Sequence, residues 1–277
     1  MKIALVTGAN SGIGYALARR FAVRGDTVIM VCRDAGRGHA ALKDIASVAT
    51  GAEPTLFITD LASQAAIRTL VMEIRRRFDR IDILINNAGA AFTEREITVD
   101  GIERTFAINH LAPFLLTTLV LDLLRAAPAA RVVAVGADAY PSTLDFENLQ
   151  GEKRYHMLGA YFKSKLENIL FTNELARRVG GTAITANCCG PGAVHTNFGY
   201  RAGGVLEVAQ TVMSWLPIMQ TPDEGARTPW YLATAPELAG VTGKFFLRHH
   251  ERHTKPITRD TAVLERLWRV SETLTAT

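Results

Sequence analysis

Tyr161 and Lys165 stand four residues apart in Tyr161-Phe-Lys-Ser-Lys165, inside a segment patterned as a helix. Four residues is about one helical turn, so the two side chains share a face. A free phenol titrates near pH ~10 and is a poor base at neutral pH. A neighbouring ammonium favours the phenolate and lowers that value. Such a pair can pass a proton to or from a substrate oxygen while a cofactor passes a hydride. The spacing alone usually marks surface decoration, so the chemistry depends on what surrounds the pair.

A second segment, Thr7-Gly8-Ala9-Asn10-Ser11-Gly12-Ile13-Gly14, follows a short apolar run and opens a helical pattern. Backbone N–H groups and a helix N-terminus there can hold a pyrophosphate. Glycines let the backbone approach the phosphates and let the helix pack on the strand. The order Gly-x-x-x-Gly-x-Gly at this junction points to dinucleotide binding. Cys32 and Arg33 end the next apolar run, where an acid would grip the ribose hydroxyls of NAD. Arg33 instead suits a 2′-phosphate, which favours NADP(H) over NAD(H); the plain alternative is a solvated arginine.

These residues need a scaffold, and the rest of the chain patterns one. Short β-branched runs at 3–6, 27–31, 55–58, 81–85, 131–135, 183–187 and 244–247 read as strands. Helical patterns lie between them at 13–24, 37–48, 63–78, 101–125 and 161–179. Several strands are apolar without alternation, as in parallel strands covered on both faces. The alternation predicts one α/β domain over residues 1–277, a Rossmann-like, doubly wound parallel sheet of about seven strands flanked by helices. The segment 195–220 is the least regular and reads as a substrate lid.

Composition bounds the function classes. The chain has 277 residues, 48% hydrophobic and 21% charged, which excludes a disordered or fibrous protein. A net charge of +4 is mild and does not favour nucleic-acid binding. The three cysteines, Cys32, Cys188 and Cys189, form no disulfide framework and no Cys-x-x-Cys metal pair, which suits a reducing cytoplasm. Residues 2–7 already read as a buried strand, leaving no room for a leader ahead of it. The greasiest stretch, 113–124, is broken by Thr117, Thr118 and Asp122 and is too short to span a membrane.

Taken together, the loop Thr7–Gly14, the run Asn86-Asn87-Ala88-Gly89 and Tyr161-Phe-Lys-Ser-Lys165 resemble the short-chain dehydrogenase/reductase family. Asp60-Leu61, Asn109 and Pro191-Gly192-Ala193-Val194-His195-Thr196 fit the same pattern, over nearly the whole chain. Leu144-Asp-Phe-Glu-Asn-Leu-Gln150, Phe171-Thr-Asn-Glu-Leu-Ala176, Gly225-Ala226 and Gly243-Lys-Phe-Phe246 resemble its retinol-dehydrogenase-like branch.

The resemblance implies an NADP(H)-dependent enzyme that interconverts a carbonyl and an alcohol on an apolar small molecule. It implies Tyr161 as proton donor and acceptor, Lys165 lowering its pKa and gripping the nicotinamide ribose, and Asn109 kinking its helix and holding a water. The turn of Gly8, Asn10, Ser11, Gly12, Ile13 and Gly14 would take the pyrophosphate. Asp60 and Leu61 would flank the adenine, and Asn87, Ala88 and Gly89 the adenine-side ribose. Pro191, Gly192, Val194 and Thr196 would lie toward the nicotinamide.

One position departs from the family. Its catalytic serine should follow the fifth strand, where this chain has Gly136-Ala137, with Ala137 in the serine's place. An alanine donates no hydrogen bond, and losing such a donor costs about 10²–10³ in rate. Tyr140, Ser142 or Thr143 could replace it, or the substrate could tolerate the loss. Two alternatives stay open: a redox-neutral enzyme (cyclisation, dehydration or isomerisation, using Tyr161, Asp138 or His195), and a catalytically silent NADP(H)-binding protein.

The remaining features read more plainly. His249, His250 and His253 suit a solvated loop better than a metal site, so no metal is expected. Cys188 and Cys189 suit buried small hydrophobes. Leu115, Leu116 and Leu119 fit either the chain's own core or a homodimer interface. Leu158, Phe198, Tyr200, Val205, Met213, Trp215 and Leu216 are candidates for an apolar pocket.

Overall fold

The computed structural model describes residues 1–192 and 220–276. Along the chain run β1 (Ile3–Thr7), α1 (Gly12–Val23), β2 (Thr27–Cys32), α2 (Ala35–Val48), β3 (Thr55–Ile58), α3 (Gln64–Arg77) and β4 (Ile83–Asn86). Then come α4 (Arg104–Phe106), a π-turn (Ala107–Leu111), α5 (Ala112–Leu119), α6 (Leu121–Ala126), β5 (Ala130–Val135), α7 (Met157–Arg178) and β6 (Ile184–Gly190). After residue 219 lie α8 (Pro222–Gly225), α9 (Arg227–Thr234), β7 (Lys244–Leu247), β8 (His250–Glu251) and α10 (Thr261–Leu274).

One sheet has the order β3-β2-β1-β4-β5-β6-β7-β8. The strands pair in parallel except for the last, antiparallel pair β7–β8. The order reverses after β1, so connections cross to both faces, as the doubly wound reading requires. The sheet thus has eight strands among the described residues, one more than the sequence pattern predicts. The addition is a two-residue hairpin arm. Its turn puts Arg248 and His249 at φ +49° and +67°, a left-handed conformation that neither residue type announces.

Alternate strand residues feed opposite cores. Ile3 and Leu5 join Phe114, Phe171 and Trp268 on one face, while Ala4 and Val6 join Leu17 and Phe21 on the other. That double burial explains the unbroken apolar runs. Helix starts are fixed by caps: Asp34 accepts from Arg37 N, and Ser63 from Ala66 N. The Asp34 cap starts α2 two residues before the apolar periodicity does.

The predicted helix 101–125 is four pieces. Gly101 has φ +74°, α4 follows it, and then the π-turn, α5 and α6. Pro113 lacks the N–H that would close an ordinary helical turn onto the carbonyl of Asn109, so the helix widens there. β6 runs three residues past its predicted end, because Cys188, Cys189 and Gly190 pair with β5 and β7. Leu115 and Leu116 are buried within the chain, and α10 lays Trp268 against Phe114 and Phe171, with centroids 4.9 and 6.0 Å away. These leucines are used by the chain's own core and carry no argument for a second subunit. No described helix is long and apolar enough to cross a membrane.

Candidate active site

The parallel strands bring their C-terminal ends to one edge, where the candidate residues collect. Gly8 follows β1, Arg33 follows β2, Asp60 lies beyond β3, Asn87 follows β4, Gly136 follows β5 and Pro191 follows β6. This edge, beside the reversal of strand order, is where open α/β sheets bind ligands.

The glycine loop is shaped by contact. Gly8 and Gly12 have φ +69° and +55°. A Cβ on Gly14 would lie 2.2 Å from the Gly8 carbonyl oxygen and 2.5 Å from Asn87 Nδ2. Asn87 Nδ2 donates to the Thr7 carbonyl at 2.8 Å. Thr7 Oγ1 accepts from the N–H groups of Asn87 and Ala88, each at 3.0 Å. Asn87 therefore fastens its own loop to the glycine turn. Ser11 makes no side-chain cap at the start of α1, so the helix N-terminus keeps N–H groups to offer. A narrow cradle of glycines beneath an uncapped helix end fits a pyrophosphate.

At the far end of the cradle, Asn109 lies buried in the π-turn. Its Oδ1 accepts from Ala90 N at 2.8 Å, and its Nδ2 donates to the Ala90 carbonyl and to Ser164 Oγ, each at 2.9 Å. Ser164 Oγ in turn donates to the Tyr161 carbonyl at 2.7 Å. The amide thus clamps the loop after β4 to the first turns of α7. A Cβ on Gly89 would lie 3.5 Å from Asn109 Oδ1 and 3.6 Å from Lys165 Nζ, so the three share one corner.

Tyr161 and Lys165 do share a face of α7. Lys165 Nζ sits 5.2 Å from the centroid of the Tyr161 ring and donates to the Val135 carbonyl at 3.2 Å. Burial pushes the Lys165 ammonium down to about 8, partly opposed by Cys188 and Cys189. Burial also pushes the Tyr161 phenol up to about 12. For each group desolvation is the largest cause, and it favours the neutral form.

Ala137 is half-buried just beyond β5. Gly136 beside it has no room for a side chain: a Cβ there would lie 2.8 Å from Cys188 Sγ. Tyr140 turns its ring toward Phe245 and accepts from Lys255 N at 3.3 Å, while Ser142 and Thr143 are exposed. Arg33 is half-buried, and Asp60 is exposed, its Oδ1 accepting from Ala62 N at 3.0 Å. Leu61 packs against the core. Pro191 and Gly192 lie at the sheet edge, with Gly192 at φ +87°. Val194, His195 and Thr196, the lid apart from Gln220, and the pocket candidates apart from the exposed Leu158 lie outside the described residues. Among the described residues no His/Cys/Asp/Glu group could hold a metal, and His249, His250 and His253 are exposed.

Residues 2–202 match the profile described as short chain dehydrogenase. The chain belongs to the short chain dehydrogenase family. It is 40% identical to retinol dehydrogenase 14 of Mus musculus over 286 residues, covering 99% of this chain and 85% of that protein. It is 38% identical to retinol dehydrogenase 13 of Homo sapiens over 279 residues, covering 99% of this chain and 84% of that one. Among solved structures, an uncharacterized protein from Mycobacterium Paratuberculosis matches with a TM-score of 0.79 at 32% identity, covering 100% of this chain and 94% of that one. A short chain dehydrogenase from Burkholderia cenocepacia in complex with NADP matches with a TM-score of 0.68 at 26% identity, covering 88% and 94%. The family and fold expectations therefore hold: this dehydrogenase is an oxidoreductase with a dinucleotide-binding fold.

Sequence reasoning missed two parts of this dehydrogenase's candidate site. Ser164, three residues after Tyr161, was legible as a same-face neighbour. The backing of Gly136 by Cys188 depends on the pairing of β5 and β6 and left no local signal. Apart from the site, Glu167 is fully buried on α7.

Proposed function

We propose that the protein is an NADP(H)-dependent oxidoreductase interconverting a carbonyl and an alcohol on an apolar small molecule. The observation that carries this reading is the Lys165–Tyr161 pair on α7, braced through Ser164 by Asn109 at the end of the glycine cradle. The retinol dehydrogenase names of the relatives support an apolar substrate. Arg33 beyond β2, with no acid at Cys32, supports the 2′-phosphorylated cofactor.

Gly8, Asn10, Ser11, Gly12, Ile13 and Gly14 would hold the pyrophosphate, with Asp60 and Leu61 at the adenine and Asn87, Ala88 and Gly89 beside the ribose. Pro191 and Gly192, and beyond them Val194 and Thr196, would reach the nicotinamide end. The bound nicotinamide supplies or accepts the hydride at the substrate carbon. Tyr161 holds the proton at its hydroxyl, and at about 12 that hydroxyl stays protonated through neutral pH. It is thus set up as an acid, which favours carbonyl reduction. Lys165, close to neutral pH at about 8, can replace the proton that Tyr161 gives up. Asn109 and Ser164 fix the helix that carries both.

The second reading, redox-neutral chemistry or a silent binding protein, rests on Ala137. No hydroxyl at that position orients the carbonyl oxygen, although Tyr161 can still donate to it. Titration of NADPH and NADH by fluorescence, followed by absorbance with a panel of apolar aldehydes and ketones, tests the proposal. Tight NADPH binding with consumption that Tyr161→Phe abolishes supports reduction. Binding without consumption, with turnover awakened by Ala137→Ser, favours the second reading.

A further inference from the structure

Asn109 sits in a turn that the chain does not form readily by itself. Ala112 N–H donates to the Ala107 carbonyl, five residues back, and Pro113 has no N–H to close a tighter turn. A widened turn of this kind persists where its surroundings fix it. The residue after Asn109 shows what those surroundings are.

His110 is buried, and its contacts run to α7 and α10. Its ring stacks on Phe106 at 5.2 Å and meets the edge of Phe171 at 6.4 Å. Its Nε2 lies 2.8 Å from Ser271 Oγ. Ser271 Oγ donates its one proton to the Leu267 carbonyl at 2.8 Å. The bond between them is therefore a donation from His110 Nε2–H to Ser271 Oγ. That fixes the tautomer and leaves Nδ1 as a bare acceptor, buried without a partner among the described residues. Burial keeps the ring neutral, its titration pushed down to about 3.

The end of α10 meets the turn a second time. Leu274 packs against Ile102, Phe106, Ala107 and Leu111. Gln64 Nε2 donates to the Leu274 carbonyl at 2.7 Å, and Arg68 donates to that of Thr275, so α3 holds α10 in place. On the other side the turn reaches α7. Asn109 Nδ2 donates to Ser164 Oγ at 2.9 Å, and Ser164 Oγ to the Tyr161 carbonyl at 2.7 Å. Ser271, His110, Asn109, Ser164 and Tyr161 form one line, joined by three hydrogen bonds and the peptide link between His110 and Asn109.

We propose that His110 and Ser271 are positioning residues, whose bond sets the π-turn that places Asn109 and, through Ser164, the start of α7 that carries Tyr161. The proposal rests on the carbonyl–alcohol reading above and gives the C-terminal helix a part in that reaction. Both residues act through Asn109. A hydroxyl that must meet a substrate oxygen needs close placement, and a small misplacement caused at a distance lowers rate more than binding. Packing among Phe106, Phe114 and Phe171 could be met by any ring at position 110. The bond to Ser271 requires an N–H there.

The test is NADPH-dependent reduction of decanal, with kcat and KM measured beside thermal unfolding. His110→Phe keeps a ring in the aromatic cluster and removes the bare Nδ1, so Tm should hold or rise. It also removes the bond to Ser271, so kcat should fall about tenfold with KM changed less than about twofold. His110→Gln keeps an N–H and should bring kcat back to within about threefold of wild type. In a Ser164→Ala background the line is already cut, and His110→Phe should cost less than about threefold. Ser271→Ala cuts the same bond from α10 and reads the same loss of kcat if His110→Phe does not fold. If wild type turns over and His110→Phe keeps its kcat, the bond serves stability only and this proposal fails alone. It fails alone too if the losses of His110→Phe and Ser164→Ala multiply. If wild type binds NADPH and reduces no aldehyde or ketone, the carbonyl–alcohol reading fails and takes this proposal with it.

Discussion

The Lys165 ammonium lies over the Tyr161 ring, 5.2 Å from its centroid, and is anchored to the Val135 carbonyl at 3.2 Å. The anchor ties α7 to the end of β5, the strand that leads into Gly136 and Ala137. The Lys165–Tyr161 pair and the corner at Ala137 are therefore held in one frame. Both groups are desolvated, one pushed down to about 8 and the other up to about 12. On the proposed carbonyl–alcohol reading, a protonated tyrosine beside such a lysine would serve as an acid that can be recharged.

Tyr161→Phe keeps the ring and its contact with Lys165 while removing the proton. Turnover should fall about 10²–10⁴-fold, with NADPH affinity changed less than about twofold. Steady-state kinetics and fluorescence titration check both halves. A variant that keeps wild-type turnover removes Tyr161 from the reaction.

Restoring a hydroxyl should succeed at one position and fail at its neighbour. Ala137 already carries a Cβ and is half-buried, so Ala137→Ser should raise kcat about 10–10²-fold at unchanged stability. Gly136→Ser would push its Cβ to 2.8 Å from Cys188 Sγ and should lower Tm. Adding Cys188→Ala to Gly136→Ser should recover part of that loss.

Asn109→Ala deletes the side-chain bonds to Ala90 and Ser164 and leaves the Ala90 N–H without its acceptor. Stability should fall by about 2–4 kcal/mol. Activity should fall further than the unfolded fraction explains, because the start of α7 loses its brace. Urea unfolding beside kcat, at a temperature where the variant is folded, separates the two effects.

Glu167 also predicts how stability depends on pH. Its folded-state value, about 8, lies above the ordinary 4.5, so its contribution is full below about 4.5 and is lost as pH rises toward 8. The loss is of the order of a few kcal/mol. Lys165, lowered from 10.5 to about 8, gives the opposite trend only above about 8. Glu167→Gln should flatten the decline between pH 5 and 8 in denaturant titrations. An unchanged decline would mean that Glu167 is ionised in the fold.

Trp268 of α10 stacks on Phe171 at 6.0 Å, meets Phe114 at 4.9 Å and lies under the Arg178 guanidinium at 4.3 Å. Trp268→Ala should cost about 3–5 kcal/mol. Thermal unfolding would show it as a lower Tm.

The sequence by itself determined the architecture and the position of most candidate residues along it. Parallel strands buried on both faces leave unbroken apolar runs, and a phosphate cradle needs glycines wherever a Cβ would strike backbone, as at Gly14. Both are local demands on residue type, so they can be read in order along the chain. The tertiary structure alone decided the rest. Pro113 reads as one more residue of a helix until its missing N–H is seen to widen the turn that carries Asn109. The sequence puts Ala137 in the serine's place and gives no reason for the glycine beside it, which β6 supplies by placing Cys188 behind Gly136. Burial moves Lys165 and Tyr161 each toward its neutral form, and that depends on how α7 is packed. Glu167 reads as an ordinary helix carboxylate until α4 packs over it. Desolvation, close approach and pairing are properties of distant segments brought together, and no local pattern encodes them.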